Sequence, residues 1–452
     1  MKPITIKPAR GLCGTVVVPG DKSISHRAAI LAALACGKTR IRNFLFSDDC
    51  LATLAALRAL GVKASTDKNK NEVLISSDGR LRPPKSPLWM GESGTSARVL
   101  LGVLAAQPFV TKLTAAPSLL KRPMARVIVP LRLMGADIRA QKKGRDEFLP
   151  LEVFPSELSA IKWRQEVSSA QVKSAILLAG LYARGCTCVT ERAVSRDHTE
   201  RMLKFFKAGL TVEGNKICIN KSVLKTPGNV NVSGDISSAA FFVVAALLVK
   251  NSKIILKNVG INPTRIGAIS VLKRMGGKIR FLNRRDLFEP QADIEVSSSD
   301  LRATVIDEQE IPGLVDEVPI LMVAASLARG KTIIRGVKEL RVKETDRIRS
   351  MSRNLIKLGV NIRVRAVNKN ETLEIIGVRS LSSAKLQSFS DHRTAMSMFV
   401  AGLAAGGVCS LDDVFCINKS FPGFLTAFKQ LEHRNASVLF LKGLVPKRKI
   451  SC

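Results

Sequence analysis

Aromatic side chains are scarce, at 5% of the 452 residues, with two Trp and one Tyr. No RNP-like run or stacking platform appears, which argues against a nucleic-acid binder built on base stacking. Histidine is equally sparse, with four in the chain, and there is neither a CxxC nor a zinc-finger spacing, so several His/Cys metal sites are excluded. The nine cysteines include one close pair, Cys186 and Cys188, and are read as reduced core or surface thiols of a cytosol-like compartment. Acidic residues are the minority, Asp+Glu 37 against Lys+Arg 71, and the resulting +34 calls for an anionic partner: nucleic acid, a membrane surface or an acidic metabolite. The cations are spread along the chain, and the terminal cluster Lys447, Arg448, Lys449 reads as a solvated tail. Long apolar runs are missing too. The longest uncharged stretch, Thr394 to Leu411, is interrupted by Ser397, Gly402 and Gly406-Gly407, so no membrane helix is expected there. The opening "MKPITIKPARGLCG" has no apolar signal core, so an unprocessed soluble chain is expected.

What the chain does have is length and repetition. At 452 residues and 46% hydrophobic content it can build two or three domains, each with its own core. Segments ending in Leu-Gly or Met-Gly and running into an alternating stretch recur as "LRALGVKA", "LRLMGADI", "LKRMGGKI" and "LIKLGVNI", with Gly61, Gly135, Gly276 and Gly359 as left-handed helix caps. "FKAGLTV" supplies a weaker copy at Gly209, and "FKQLEHRNASV" a sixth that has lost its glycine. In step with these, small-residue helices open at "KSISHRAAILAALA", "SGTSARVLLGVLAA", "SSAQVKSAILLAGL", "DISSAAFFVVAALL", "VDEVPILMVAASLA" and "DHRTAMSMFVAGLA". Helices apolar nearly all round belong inside a domain, and their Ser, Thr and Asp openings are capping residues. Six such helix-strand-helix-strand units fit an α/β repeat architecture of about seventy residues per unit.

A helix N-terminus offers unpaired N–H groups and a partial positive charge, so it receives phosphate and carboxylate. Several openings add hydroxyls or cations: Lys22, Ser23 and Arg27; Gly94, Thr95 and Arg98; Ser168, Ser169 and Gln171; and Arg393. Capping explains the hydroxyls. It does not explain arginines one turn into a helix, beside a positive dipole end, and their recurrence predicts a cleft for multiply charged small anions. "ELRVKETDRIRSM" sets Lys343 and Arg347 on one face of a helix expected to begin there, with Glu344 between them, and "GLVDEVPIL" puts Asp316 and Glu317 at the mouth of another. A carboxylate among cations can move a proton while the cations hold an anion.

Ten stretches in order, "PGDKSISHRA", "GESGTSARVL", "KRPM", "SSAQVKSAILLAGL", "SRDHTE", "GDISSAAFF", "DEVPIL", "RVKETDRI", "DHRTAM" and "NKSFP", make the chain resemble the 5-enolpyruvylshikimate-3-phosphate synthases along essentially its whole length. The resemblance implies two similar lobes, each of three βαβαββ units, in the inside-out α/β barrel arrangement of the enolpyruvyl transferases. The lobes would comprise residues 20–233, and residues 1–19 with 234–452, closing on substrate in the cleft between them. It implies transfer of the enolpyruvyl group of phosphoenolpyruvate to the 5-hydroxyl of shikimate 3-phosphate by addition and elimination, in chorismate and aromatic amino-acid biosynthesis. No cofactor or metal is implied, the enzyme would be cytoplasmic and a monomer, and neither nucleic acid nor membrane would be a partner. Positions matching shikimate 3-phosphate contacts are Lys22, Ser23, Arg27, Ser168, Ser169, Gln171, Arg196, Asp316 and Lys343. Those matching phosphoenolpyruvate contacts are Lys22, Gly94, Arg122, Gln171, Arg347, Arg393 and Lys419. By the same resemblance Asp316 takes the hydroxyl proton, Glu344 serves the methylene carbon, and Lys22 assists proton transfer and phosphate departure.

One position departs: Glu92 stands where the family commonly has Asn in "GNxGT", adding negative charge beside the phosphoenolpyruvate site. The sister enzyme acting on UDP-N-acetylglucosamine is the nearer alternative. It is disfavoured because no cysteine lies between Cys50 and Cys186 and because Lys22-Ser23 replaces its usual Lys-Asn. A nucleic-acid binder would use the charge with steep salt dependence but leaves the ordered motifs unexplained.

Overall fold

Six long helices carry the architecture of the computed structural model, which describes residues 3–367 and 370–431. They run Lys22–Leu34, Gly94–Leu104, Ala170–Gly180, Ile236–Leu248, Val318–Ser326 and His392–Leu403, matching the six expected openings, and are called here the first to sixth central helices. Five begin behind a side-chain cap, from Asp21, Ser93, Ser169, Asp235 and Asp391, that satisfies an otherwise orphaned N–H group. Their bodies are apolar on every side and sink into the interior; the Ile236–Leu248 helix is buried from Ile236 to Leu247.

Among the described residues, five four-stranded sheets and one three-stranded sheet stand around them. Each four-stranded sheet combines one parallel pairing with two antiparallel ones, as where Lys162–Arg164 runs parallel to Cys186–Thr190, itself antiparallel to Lys216–Asn220. Gly61, Gly135, Gly276 and Gly359 adopt the expected positive φ, at 85°, 103°, 94° and 87°. Gly209 does not: in that copy Lys207 takes the left-handed position, at φ 64°, and ends the helix two residues earlier. The sixth "FKQLEHRNASV" copy runs past Leu431, so its strand, like the Lys447–Lys449 cluster, lies outside the described residues.

Apolar side chains gather into two cores. One draws on residues from Ile24 to Val232; the other joins Ile4 to Val18 with Ile236 to Leu431. The chain passes between them twice, and the passages pair with each other: Gly20 bridges Gly234, Asp21 N–H donates to Ser233 O, and Asp235 N–H donates to Pro19 O. The two passages also place Asp21 and Asp235 side by side, and burial together with the Asp21 charge pushes the Asp235 carboxyl up to about 7.

The cysteine expectation needs correction. Cys188 and Cys218 form a disulfide, because the register of their antiparallel strands sets them opposite each other. The exposed thiol of Cys186 lies on the same strand as Cys188, and the three sulfurs fall within 4.8 Å of one another, the one such cluster among the described residues. Thr394 to Leu411 divides into helix and strand, and no described helix is long and apolar enough to cross a membrane.

Candidate active site

The openings of the central helices converge where the two cores meet. Lys22 begins the first central helix and its Nζ pairs with Asp49. Burial alone would lower the Lys22 ammonium, but the Asp49 carboxylate raises it, so the charge persists. Arg27, one turn on, is buried and donates to Thr199 Oγ1 at 2.6 Å, Ser174 Oγ at 2.8 Å and the Ser23 carbonyl at 3.1 Å. Burial and the neighbouring Arg196 bring its guanidinium down to about 10. Gln171 accepts from Arg98 at 3.1 Å and donates to Thr95 Oγ1 at 3.0 Å, linking the second and third helix openings. Ser169 caps the third helix and Ser168 Oγ accepts from Ala193 N–H at 2.9 Å, so both serines serve local backbone in this state.

Carboxylates of the second core meet these cations. Asp316 pairs with Arg196 across the cores, with Arg347 at 3.4 Å and with Arg393 at 3.7 Å. Burial alone would raise its carboxyl, yet Arg196, Arg393, Lys343 and Arg347 hold it well below the usual range. Glu344 accepts from Arg347 at 2.5 Å, and burial is likewise outweighed, foremost by Arg347 and also by Arg122 and Lys22. Arg347, 2% exposed, therefore joins both candidate proton carriers, while its Nε is fixed by Asp391 at 2.9 Å. Burial drives the adjacent His392 down to about 4, leaving it neutral near pH 7.

The helix expected from Lys343 starts later. Lys338–Val342 is a 3₁₀ turn, Asp346 caps the next helix by accepting from Arg349 N–H, and Arg347 is that helix's first residue. Lys343 and Glu344 thus lie on the connecting turn, with Lys343 Nζ 3.6 Å from Glu339.

A cavity of about 110 Å³ lies at the convergence, lined by Asp49, Glu92, Ser118, Arg122, Glu344, Thr345, Ser390, His392 and Lys419. Of the residues expected at the site, Arg122, Glu344 and Lys419 form its wall; Arg347 does not line it but donates to Glu344 and to Asp316. A hollow of about 600 Å³ opens beside Arg201, Phe205 and Phe288, but its walls include none of those five residues. Sequence reasoning missed Asp49, Ser118, Asp391 and His392. Asp49 and Asp391 sit in helix-opening strings, "SDDC" and "SDHR", where an acidic residue reads as a cap, and Asp391 does cap its helix as well as bind Arg347.

The chain matches the EPSP synthase (3-phosphoshikimate 1-carboxyvinyltransferase) family over residues 6–428. The chain belongs to that family. A relative from Geotalea uraniireducens, a 3-phosphoshikimate 1-carboxyvinyltransferase, is 46% identical over 432 residues, covering 95% of this chain and 99% of the relative. EPSP synthase from Acinetobacter baumannii superposes with a TM-score of 0.84 at 40% identity, covering 96% of this chain and 98% of that one. The enolpyruvyl transferase NikO from Streptomyces tendae, at 16% identity and TM-score 0.74 over 95% and 97% of the two chains, shares the fold. The two cores are thus the two-lobe enolpyruvyl transferase fold. In this member of the EPSP synthase family, Lys22, Arg196, Lys343, Arg347, Arg393 and Lys419 each stand within ion-pair distance of a carboxylate of the chain itself.

Proposed function

We infer that the cleft transfers the enolpyruvyl group of phosphoenolpyruvate to the 5-hydroxyl of shikimate 3-phosphate, releasing phosphate. The chain is a transferase of the shikimate pathway, which leads to the aromatic amino acids. The observation that carries the assignment of roles is Arg347, which holds Asp316 and Glu344 together beside a cavity walled by Arg122 and Lys419. Arg122, Lys419 and Lys22 suit the phosphate and carboxylate of phosphoenolpyruvate. Arg196, Arg27, Ser168, Ser169, Gln171 and Lys343 suit shikimate 3-phosphate. The cations orient both anions for attack and stabilise the charge that grows as phosphate leaves.

Asp316, held ionised, accepts the hydroxyl proton. Glu344 must carry a proton before giving one to the methylene carbon, although the cations now favour its charged form. An arriving phosphoenolpyruvate shares those cations, which weakens their pull on Glu344 and raises its proton affinity towards that role. Lobes of residues 20–233, and of 1–19 with 234–452, are supported by the two cores. A monomer is supported by one chain supplying both walls of the cleft. The compartment we propose is the cytoplasm, where phosphoenolpyruvate is made. Small anions suit these cations better than a nucleic acid does, since a polyanion is met by an exposed stripe and Arg347 is buried.

Phosphate release from the purified protein is expected only when both substrates are present, and it is expected to survive a chelator. Release from phosphoenolpyruvate alone, or activity lost to chelator and restored by zinc or magnesium, overturns the reading. A second measurement concerns Gly94, where an added Cβ would stand 2.7 Å from Arg98 Nη1 and 3.0 Å from Arg122 Nη1. Gly94→Ala is expected to displace these guanidinium groups and weaken phosphoenolpyruvate. The longer inhibitor glyphosate, which competes at that site in the resembling family, should weaken by a larger factor. Inhibition constants on parent and variant decide; equal shifts mean the methyl does not discriminate.

A further inference from the structure

We propose that Glu92 gates the anion-binding end of the cleft: its carboxylate holds Lys419 across the two lobes, and an entering phosphate must take the lysine from it. The proposal rests on the reading that this cavity receives a phosphorylated substrate. Glu92 lies on the turn that leads into the second central helix, backed by the core that holds residues Ile24 to Val232, and Lys419 ends a 3₁₀ turn of the other core. Lys419 Nζ stands 2.5 Å from Glu92 Oε2, while Ser118 Oγ donates to Glu92 Oε1 at 2.8 Å. The serine fixes the carboxylate, so the lysine's position is set from the opposite lobe.

The pair lines the same small cavity as Arg122 and Glu344. Its side chains are 37% and 26% exposed, shielded enough for the attraction to count and open enough for an ion to reach. Burial alone would lower the Lys419 ammonium, but its bond to Glu92 raises it, so the lysine is kept charged. Glu92, Asp49 and Glu344 together make this end of the cavity rich in carboxylates. A phosphate dianion can compete for Lys419 because it brings more charge than Glu92 does; a singly charged carboxylate competes less well. The gate therefore lowers affinity for every anion and favours those bearing phosphate.

Glu92→Gln keeps the size of the side chain and an oxygen for Ser118 while removing the charge. The dissociation constant of inorganic phosphate, measured by calorimetry on the protein alone, and the Michaelis constant for phosphoenolpyruvate are both expected to fall about three- to tenfold, the scale of a partly shielded ion pair. The change should appear in KM more than in kcat, as for an interaction that opposes ground-state binding. In a Lys419→Met background the same substitution should lose at least half of its effect. An unchanged or raised phosphate dissociation constant overturns the proposal, and so does an effect that persists undiminished without Lys419. A parent that fails to turn over both substrates while Glu92→Gln still tightens phosphate would refute the substrate reading and leave the gate standing. Normal turnover with no change in phosphate binding would do the reverse.

Discussion

Glu344→Gln is expected to lower turnover by about 10²-fold or more, the scale for losing a general acid or base, while both substrates still bind. The amide retains the shape of the side chain and an oxygen for Arg347 Nη2, but it can neither take up nor release the proton. The fold should hold, because Arg347 keeps Asp391 at 2.9 Å and Asp316 at 3.4 Å. Steady-state kinetics should show the loss in kcat, with the Michaelis constants changing by only a few fold, and thermal melting should match the parent. The carboxylate is ionised in the present arrangement, so the parent's rate should also fall at high pH, where proton loading of Glu344 fails, and that limb should vanish from the residual activity of the variant. Normal turnover by Glu344→Gln would end its assignment as a proton carrier.

The second large effect is on stability. Lys173 lies at the end of the first turn of the third central helix, 1% exposed, with its Nζ 2.7 Å from Glu191 and 2.6 Å from Glu200. Ser195 N–H adds a further bond to Glu191, at 3.3 Å. Burial already raises the Glu200 carboxyl against the pull of Lys173. Lys173→Met leaves two buried carboxylates without their cation and is expected to cost about 3–5 kcal/mol, the penalty for stranding one side of a buried pair. The melting transition of the first lobe should fall by on the order of 10 °C. The sign of the pH dependence follows from the carboxyls. Without Lys173 the folded pKa of Glu200 rises further above its unfolded value, so stability is retained at low pH and lost as pH rises through the folded value. The deficit relative to the parent should therefore grow as pH rises and shrink as pH falls, and adding Glu191→Gln should recover part of it. A small deficit independent of pH would show that the site relaxes to admit water.

Much of this arrangement is legible in the sequence because its signals are short-ranged. Caps and glycine stops act within one helical turn, so the six central helices and the positive φ of Gly61, Gly135, Gly276 and Gly359 follow from strings of about ten residues. Two local readings failed for an equally local reason. At "FKAGLTV" Lys207 ends the helix before Gly209, and at "RVKETDRI" Asp346 caps a helix that starts at Arg347, leaving Lys343 and Glu344 on a turn. In both places a residue able to stop or start a helix stood within three positions of the one chosen, and periodicity does not rank them.

By itself, the sequence determined the repeat, the residue types at each helix opening and the family those motifs mark. Only the tertiary structure decided which charge meets which. Arg196 reaches Asp316, 120 residues away; Lys419 reaches Glu92; and Arg347 takes Asp316, Glu344 and Asp391 together. Strand register likewise chose Cys218, rather than the nearer Cys186, as the partner of Cys188. The physical reason is that capping and hydrophobic period depend on neighbours along the chain. Ion pairing depends on distance in space and on burial, and both are set only once the chain has crossed twice between its cores and brought the helix openings to a common cleft.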